Sequence, residues 1–294
     1  MLSSQKSGLI TKVLGGFYYV YWEGQMIECR ARGLFRKQKI KPLAGDYCEI
    51  RLTKEDPTKG YVEKILPRNN ALVRPPVANV DQIMIVFACK DPIPNLRLLD
   101  KFLIQNEHHQ IQSIIILNKV DLAPQKANQL ANMYQKAGYR VIQTSALEPV
   151  FIDEIKQMLS DKVSAFAGPS GVGKSTLINL IEPGLNLEVG EISEKLSRGK
   201  HTTREVSLHG LSGGGWLIDT AGFSVLDLQG INQENLKNYY PEFDIDEYCR
   251  FTSCDHYREP DCAVKNLVAK GEICQERYDS YISLYELLLK GEPL

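Results

Sequence analysis

Apolar and polar positions alternate in five short runs near the start of the chain: GLITKVL (8–14), FYYVYW (17–22), MIECRAR (26–32), DYCEIRL (46–52) and GYVEKIL (60–66). Alternation at period two marks half-buried strands, and Gly15-Gly16 and Glu23-Gly24 mark tight turns between the first three. Five such strands predict a small closed barrel of the oligonucleotide-binding type over residues 1–68, although another small barrel would show the same pattern. Residues 69–79, NNALVRPPVAN, contain Pro75-Pro76 and read as a linker. The pattern then changes. VDQIMIVFA, SIIIL, YRVIQT and KVSAFAG are apolar runs suited to buried strands, and they alternate with helix-like segments such as FIDEIKQML and the face carrying Leu96, Leu99 and Leu103. That alternation predicts a doubly wound α/β domain over 80–228. Residues 229–294 are expected to be mainly helical, with Tyr278, Tyr281, Ile282, Tyr285 and Leu288 at helical spacing on a packing face.

Composition adds little on its own: 294 residues with 43% hydrophobic and 24% charged positions fit a globular chain of several domains. The net charge of −1 is more informative once divided, because residues 1–70 hold thirteen Lys/Arg against seven Asp/Glu, a net +6. Arg30, Arg32, Arg36, Lys37, Lys39 and Lys41 cluster around Phe35 between the third and fourth strands. Such a cluster suits RNA, with cations for phosphates and an aromatic ring for a base; a solvated charged loop is the plainer alternative. The start MLSSQKSGLITKV is no secretory leader and SIIIL stops at Asn118 and Lys119, so a cytoplasmic protein without membrane spans is expected.

Seven cysteines, an odd number, argue against a disulfide framework. Cys29, Cys48, Cys89 and Cys274 are expected to be buried as small apolar side chains. Cys249, Cys254, His256 and Cys262 fall within fourteen residues and offer three thiolates and an imidazole, a closed tetrahedral set suited to structural Zn²⁺. The stretch around them has few apolar residues, so a metal cross-link would serve a physical purpose.

The most specific chemistry lies in the central domain. GPSGVGKS comprises Gly168, Pro169, Ser170, Gly171, Val172, Gly173, Lys174 and Ser175, followed by Thr176, and matches a phosphate-binding loop. Its glycines let backbone N–H groups curl round phosphates, Lys174 neutralises them and Ser175 ligates Mg²⁺. Fifty residues earlier stands NKVD: Asn118, Lys119, Val120 and Asp121. The Asp121 carboxylate can accept from both the ring N–H and the exocyclic amine of guanine, which favours GTP over ATP. Thr144, Ser145 and Ala146 would supply a backbone donor to the guanine oxygen. In WLIDTAG (216–222), Asp219 would hold Mg²⁺ through water and the Gly222 N–H would meet the γ-phosphate. Between these lies GKHTT (199–203), in which Thr203 or Thr202 must close over Mg²⁺, with Thr203 favoured. The order is that of an ordinary GTPase cut after D-x-x-G and circularly permuted.

The permuted order, GPSGVGKS, GKHTT, DTAGF and the following C-x₄-C-x-H-x₅-C resemble the ribosome small subunit-dependent GTPase A family over nearly the whole chain. The resemblance implies an oligonucleotide-binding barrel, a circularly permuted α/β P-loop GTPase domain and a zinc-binding C-terminal domain. It implies GTP/GDP with Mg²⁺ and one structural Zn²⁺ as cofactors, and action in late maturation of the small ribosomal subunit through its rRNA. A monomer without membrane attachment is expected.

Phe223 follows D-x-x-G, where many GTPases carry the glutamine that orients the attacking water. Either hydrolysis is slow until a partner completes the site, or another residue reaches the water, with His201 the best candidate; an exposed loop histidine is the alternative. A nucleotide-gated RNA-binding adaptor that scarcely hydrolyses GTP is the second reading, and a zinc-linked redox regulator a third.

Overall fold

The computed structural model describes residues 7–31, 41–145, 151–185, 206–219, 223, 226, 228–292 and 294. The chain forms two compact units, one of Met1–Gln82, Ile155–Ala165 and Glu191–Val225, the other of Ile83–Glu154, Phe166–Gly190 and Leu226–Leu294.

In the first unit, strands β1 (Gly8–Leu14), β2 (Phe17–Trp22), β3 (Gln25–Ala31), β4 (Tyr47–Leu52) and β5 (Lys59–Ile65) close into a barrel in the order β1-β2-β3-β5-β4. Ile10, Val20, Ile27, Cys29, Cys48 and Val62 fill its core, the inward half of the alternation in the sequence. Bulges between Ile10 and Lys12 and between Glu49 and Ile50 bend the strands for closure. The Asp46 carboxylate is fully buried and accepts from Arg68 Nε at 2.6 Å and Nη2 at 2.8 Å, which fastens the start of β4 to the end of β5.

Residues 69–79 differ from the expected linker. They form a two-stranded antiparallel ribbon, β6 (Ala71–Leu72) with β7 (Val77–Ala78). Asn70 accepts from Val80 N at 2.9 Å, and Asn79 accepts from Asn69 N at 2.8 Å while donating to Gly45 O at 2.9 Å. These side chains satisfy backbone groups that a packed ribbon would otherwise leave unpaired.

The remaining strands form a six-stranded sheet in the order β10-β9-β8-β11-β13-β12. Its members are β8 (Gln82–Ala88), β9 (Gln112–Asn118), β10 (Arg140–Gln143), β11 (Val163–Ala167), β12 (Leu208–Gly210) and β13 (Trp216–Ile218). β8 and β11 are buried at every position, as their continuous apolar runs require. Helices α1 (Leu96–His108), α2 (Pro124–Lys136), α3 (Ile152–Leu159) and α4 (Lys174–Ile181) alternate with the strands, while α5 (Ala263–Ala269) and α6 (Gln275–Leu289) end the chain. No helix among the described residues is long and apolar enough to cross a membrane.

The compact units cut across the division read from the sequence, and within the second unit the reason is visible. Ile104 of α1 belongs to the same apolar core as Leu236, Tyr240, Phe243, Val264, Tyr281 and Leu284 of the C-terminal segment. At its edge the side chain of Arg277, only 2% exposed, pairs with Asp100 of α1 and donates to Glu242 at 2.7 Å. Its guanidinium lies 4.6 Å from the ring centre of Tyr240 and 5.4 Å from that of Tyr134, whose hydroxyl donates to Asp100 at 3.0 Å. A buried cation that meets two carboxylates and three ring faces, the third that of Tyr139, has its charge and its donors matched. Arg277→Met should leave Asp100 and Glu242 buried without a cation and lower the stability of this unit by about 3–5 kcal/mol in a urea titration. A parental midpoint would show that this charge cluster does not hold the C-terminal helix.

Candidate nucleotide and metal sites

β11 runs directly into the phosphate-loop motif. Gly168 (φ 128°), Gly171 (φ 77°) and Gly173 (φ 96°) all have positive φ. A Cβ on Gly168 would lie 2.2 Å from Val86 O, and one on Gly173 would lie 2.4 Å from Asn118 Nδ2. Glycine is therefore required at both for conformation and for space. Val172 is buried and anchors the loop, while Pro169 is half-buried and Ser170 exposed at its tip. α4 starts at Lys174 with no side-chain cap, leaving the N–H groups of its first turn, with half-buried Ser175 and Thr176, for an anion. Lys174 Nζ donates to Gly168 O at 2.8 Å and Pro169 O at 2.6 Å, and burial lowers its pKa to about 8. Phosphate would favour the charged form, so nucleotide binding above that pH should draw in a proton.

The base-reading motif lies against this loop. Asn118 ends β9, is 1% exposed and donates from Nδ2 to Val172 O at 2.8 Å. Lys119 adopts a left-handed conformation (φ 58°) and donates from Nζ to Gly171 O at 2.8 Å and to Asp91 O. Val120 and Asp121 follow in a short 3-10 turn, where the exposed Asp121 carboxylate accepts from the Ser145 hydroxyl. Thr144 N donates to Leu117 O at 2.8 Å, so the Thr144-Ser145 segment backs the motif. The roles of Gly171, Asp91 and Ser145 in holding Lys119 and Asp121 are legible only in three dimensions. Ala146 lies outside the described residues.

Asp219 is exposed at the end of β13, its N–H donating to Ser207 O at 2.8 Å. β13 pairs in parallel with β11 and antiparallel with β12. In the same unit Ser207 bridges Lys12 of β1, and Trp216 meets Tyr21 of β2 edge-on with ring centres 4.9 Å apart. The strands flanking the switch segments therefore pack on the barrel, which motif reading missed. His201, Thr202, Thr203 and Gly222 lie outside the described residues, as do Arg32, Phe35, Arg36, Lys37 and Lys39. Phe223 is buried, 3% exposed.

The four C-terminal candidates converge. The ligand atoms of Cys249, Cys254, His256 and Cys262 all lie within 4.8 Å of one another. His256 Nδ1 is 3.4 Å from Cys262 Sγ and 3.6 Å from Cys249 Sγ, and the latter two sulfurs are 3.9 Å apart. Tetrahedral coordination at Zn–S near 2.3 Å puts neighbouring donors about 3.5–3.8 Å apart, so the set fits such an ion. Burial pushes the Cys254 thiol up to about 12, raises Cys262 and lowers His256, so a metal must displace thiol protons to bind. Around the ligands, Tyr278 Oη donates to His256 O at 2.7 Å, Lys237 Nζ to Cys254 O at 2.9 Å, and Glu259 accepts from Asp255 N at 2.9 Å and Tyr257 N at 2.8 Å. These contacts fix the ligand backbone, and no spacing rule reveals them. Cys29, Cys48 and Cys89 are buried as expected; Cys274 is not, because it caps α6 half-exposed and donates to Glu276 at 2.8 Å.

Gly173→Ala should distort the phosphate loop and break the Asn118–Val172 bond. A left-handed non-glycine residue costs roughly 1–2 kcal/mol before the clash is counted, so GTP affinity should fall at least about tenfold in a calorimetric titration. Parental affinity would show that the loop does not need this close approach.

The chain is similar to known proteins over nearly all of its length. The RsgA GTPase family model matches residues 65–229 and that of the RsgA N-terminal domain residues 7–62. The chain is 50% identical over 279 residues to the small ribosomal subunit biogenesis GTPase RsgA of Caldanaerobacter subterraneus subsp. tengcongensis, covering 94% of each. It is 46% identical to the protein of that name from Agathobacter rectalis, over 96% of this chain and 98% of the relative. Among solved structures it resembles YjeQ from Thermotoga maritima, with a TM-score of 0.86 at 36% identity and coverage of 97% and 98%. It also resembles YloQ, a circularly permuted GTPase, at 0.83 and 37%, with coverage of 99% and 98%. With its own motifs in permuted order around a closed pair of loops, the chain belongs to the RsgA GTPase family and is an enzyme that hydrolyses GTP.

Proposed function

We propose that the protein associates with the small ribosomal subunit and its rRNA late in maturation, with the GTP state timing binding and release. The observation that carries this is the base-reading loop fastened to the phosphate loop by Asn118 and Lys119, in a chain related over 94% of its length to a small ribosomal subunit biogenesis GTPase. Asp121 is assigned to guanine, with Asn118, Lys119, Val120, Ser145 and Ala146 framing the base. Residues 168–176 and Gly222 are assigned to the phosphates. Ser175 and Thr203 would supply oxygen donors of the kind a hard cation prefers and Asp219 would hold Mg²⁺ through water; the ion would neutralise phosphate charge. The basic barrel meets rRNA, and Cys249, Cys254, His256 and Cys262 hold one structural Zn²⁺. The protein acts in the cytoplasm as a monomer made of a barrel (1–68), a permuted GTPase domain (80–228) and a zinc-binding domain (229–294).

Buried Phe223 cannot orient water, which favours slow hydrolysis until the subunit brings His201 to the water. The same residue favours the second reading, an adaptor that binds GTP without appreciable turnover. Multiple-turnover phosphate release separates them: the small subunit should raise turnover by about 10³-fold or more, and His201→Ala should lower the stimulated rate about 10²-fold with GTP affinity unchanged. An unstimulated rate would leave the adaptor, and a parental rate for His201→Ala would remove histidine from the mechanism.

Protein purified without added zinc should contain one equivalent per chain. Cys254→Ser should loosen the C-terminal segment while the nucleotide site keeps its affinity, as seen by limited proteolysis and GTP titration. Metal content far below one equivalent together with unchanged proteolysis of Cys254→Ser would contradict the zinc assignment.

A further inference from the structure

Strand register aligns four side chains from four adjacent strands in one row across the outside of the barrel. Phe17 of β2 stands opposite Arg30 of β3, Arg30 opposite Tyr61 of β5, and Tyr61 opposite Arg51 of β4. Directly opposed residues share a face, and the neighbouring Cys29 and Val62 are fully buried, so the row faces outward. Arg30 and Arg51 are exposed, Tyr61 is 39% exposed and Phe17 is half-buried. The guanidinium of Arg30 lies 4.9 Å from the Phe17 ring centre and that of Arg51 lies 5.8 Å from the Tyr61 ring centre. Aromatic and guanidinium planes thus alternate over three inter-strand steps, about 14 Å at the usual strand spacing.

Cross-strand cation–aromatic pairs also stabilise a sheet, but two such pairs side by side in one row, on a barrel with net charge +6 over residues 1–70, make a surface complementary to bases and phosphates together. Carboxylates border it: Glu63 pairs with Arg51 at 2.8 Å, and Glu28 lies one row away beside Lys59. That border disfavours an RNA duplex, which presents a dense phosphate backbone and hides its base faces. Unpaired bases expose those faces and tolerate the carboxylates. We infer that the row Phe17–Arg30–Tyr61–Arg51 is a stacking surface for unpaired bases of single-stranded RNA, one base for each ring. The inference rests on the reading that the barrel meets rRNA and specifies the form of RNA it takes.

The test uses the full chain with a fluorescent single-stranded RNA of mixed sequence, a perfect RNA duplex of equal length, and isolated small subunits. Tyr61→Leu and Phe17→Leu should each weaken single-strand binding about tenfold, and duplex binding should not change; Tyr61→Phe should bind within about twofold of the parent. Thermal midpoints identify any variant that fails to fold, in which case the other leucine variant and Tyr61→Phe decide. Parental single-strand affinity in the folded leucine variants would overturn the stacking surface and leave the barrel–RNA reading standing. Loss of subunit binding with single-strand affinity retained would assign the row to a ribosomal protein and overturn the RNA proposal. A parent that binds neither RNA nor subunits would overturn the underlying reading as well.

Discussion

The Asn118 amide donates to the Val172 carbonyl across 2.8 Å in a site closed to water, and it joins segments 54 residues apart in the chain. A side chain so placed forbids a Cβ at Gly173, fixes the end of β9 against the phosphate loop and positions Lys119 to reach the Gly171 carbonyl. The proposed contacts to guanine and to its phosphates therefore share one packed junction. Chain order does not enter into it. A permutation that reverses the motifs leaves the junction intact because only the strand ends and their loops must meet.

Each compact unit carries part of the machinery together with a flanking module. In the first, Ser207 accepts from the Asp219 N–H and bridges Lys12, so the residue between the switch threonines and D-x-x-G is also bonded to the barrel. In the second, Arg277 ties the terminal helix to Asp100 on the helix that precedes the base-reading strand. Buried ion pairs are poor sources of stability but specific about partners, which suits a joint between the motif-bearing sheet and the segment that carries the cysteine–histidine cluster.

The barrel strands were legible because alternation of inward and outward positions survives wherever one face is buried, as at Val20, Ile27 and Val62. The phosphate loop, the base-reading motif and the cysteine–histidine cluster were legible because their chemistry demands fixed spacings. Residues 69–79 misled because Pro75-Pro76 signals a turn, while the bonds from Val80 N to Asn70 and from Asn69 N to Asn79 that close the ribbon are visible only once the chain is folded. Arg277 was invisible for the same reason, since its carboxylate partner lies 177 residues away. Cys274 broke the expectation of burial because a helix cap held it at the surface instead.

Guanine-nucleotide state is proposed to govern association with the small subunit, and co-sedimentation measures that coupling. The protein would be spun with purified small or large ribosomal subunits in GDP or in a non-hydrolysable GTP analogue, at fixed salt because phosphate contacts are salt-sensitive. Preferential pelleting with the small subunit in the analogue is the predicted result. Equal pelleting with both subunits, whichever nucleotide is present, would reduce the interaction to charge attraction and contradict the account.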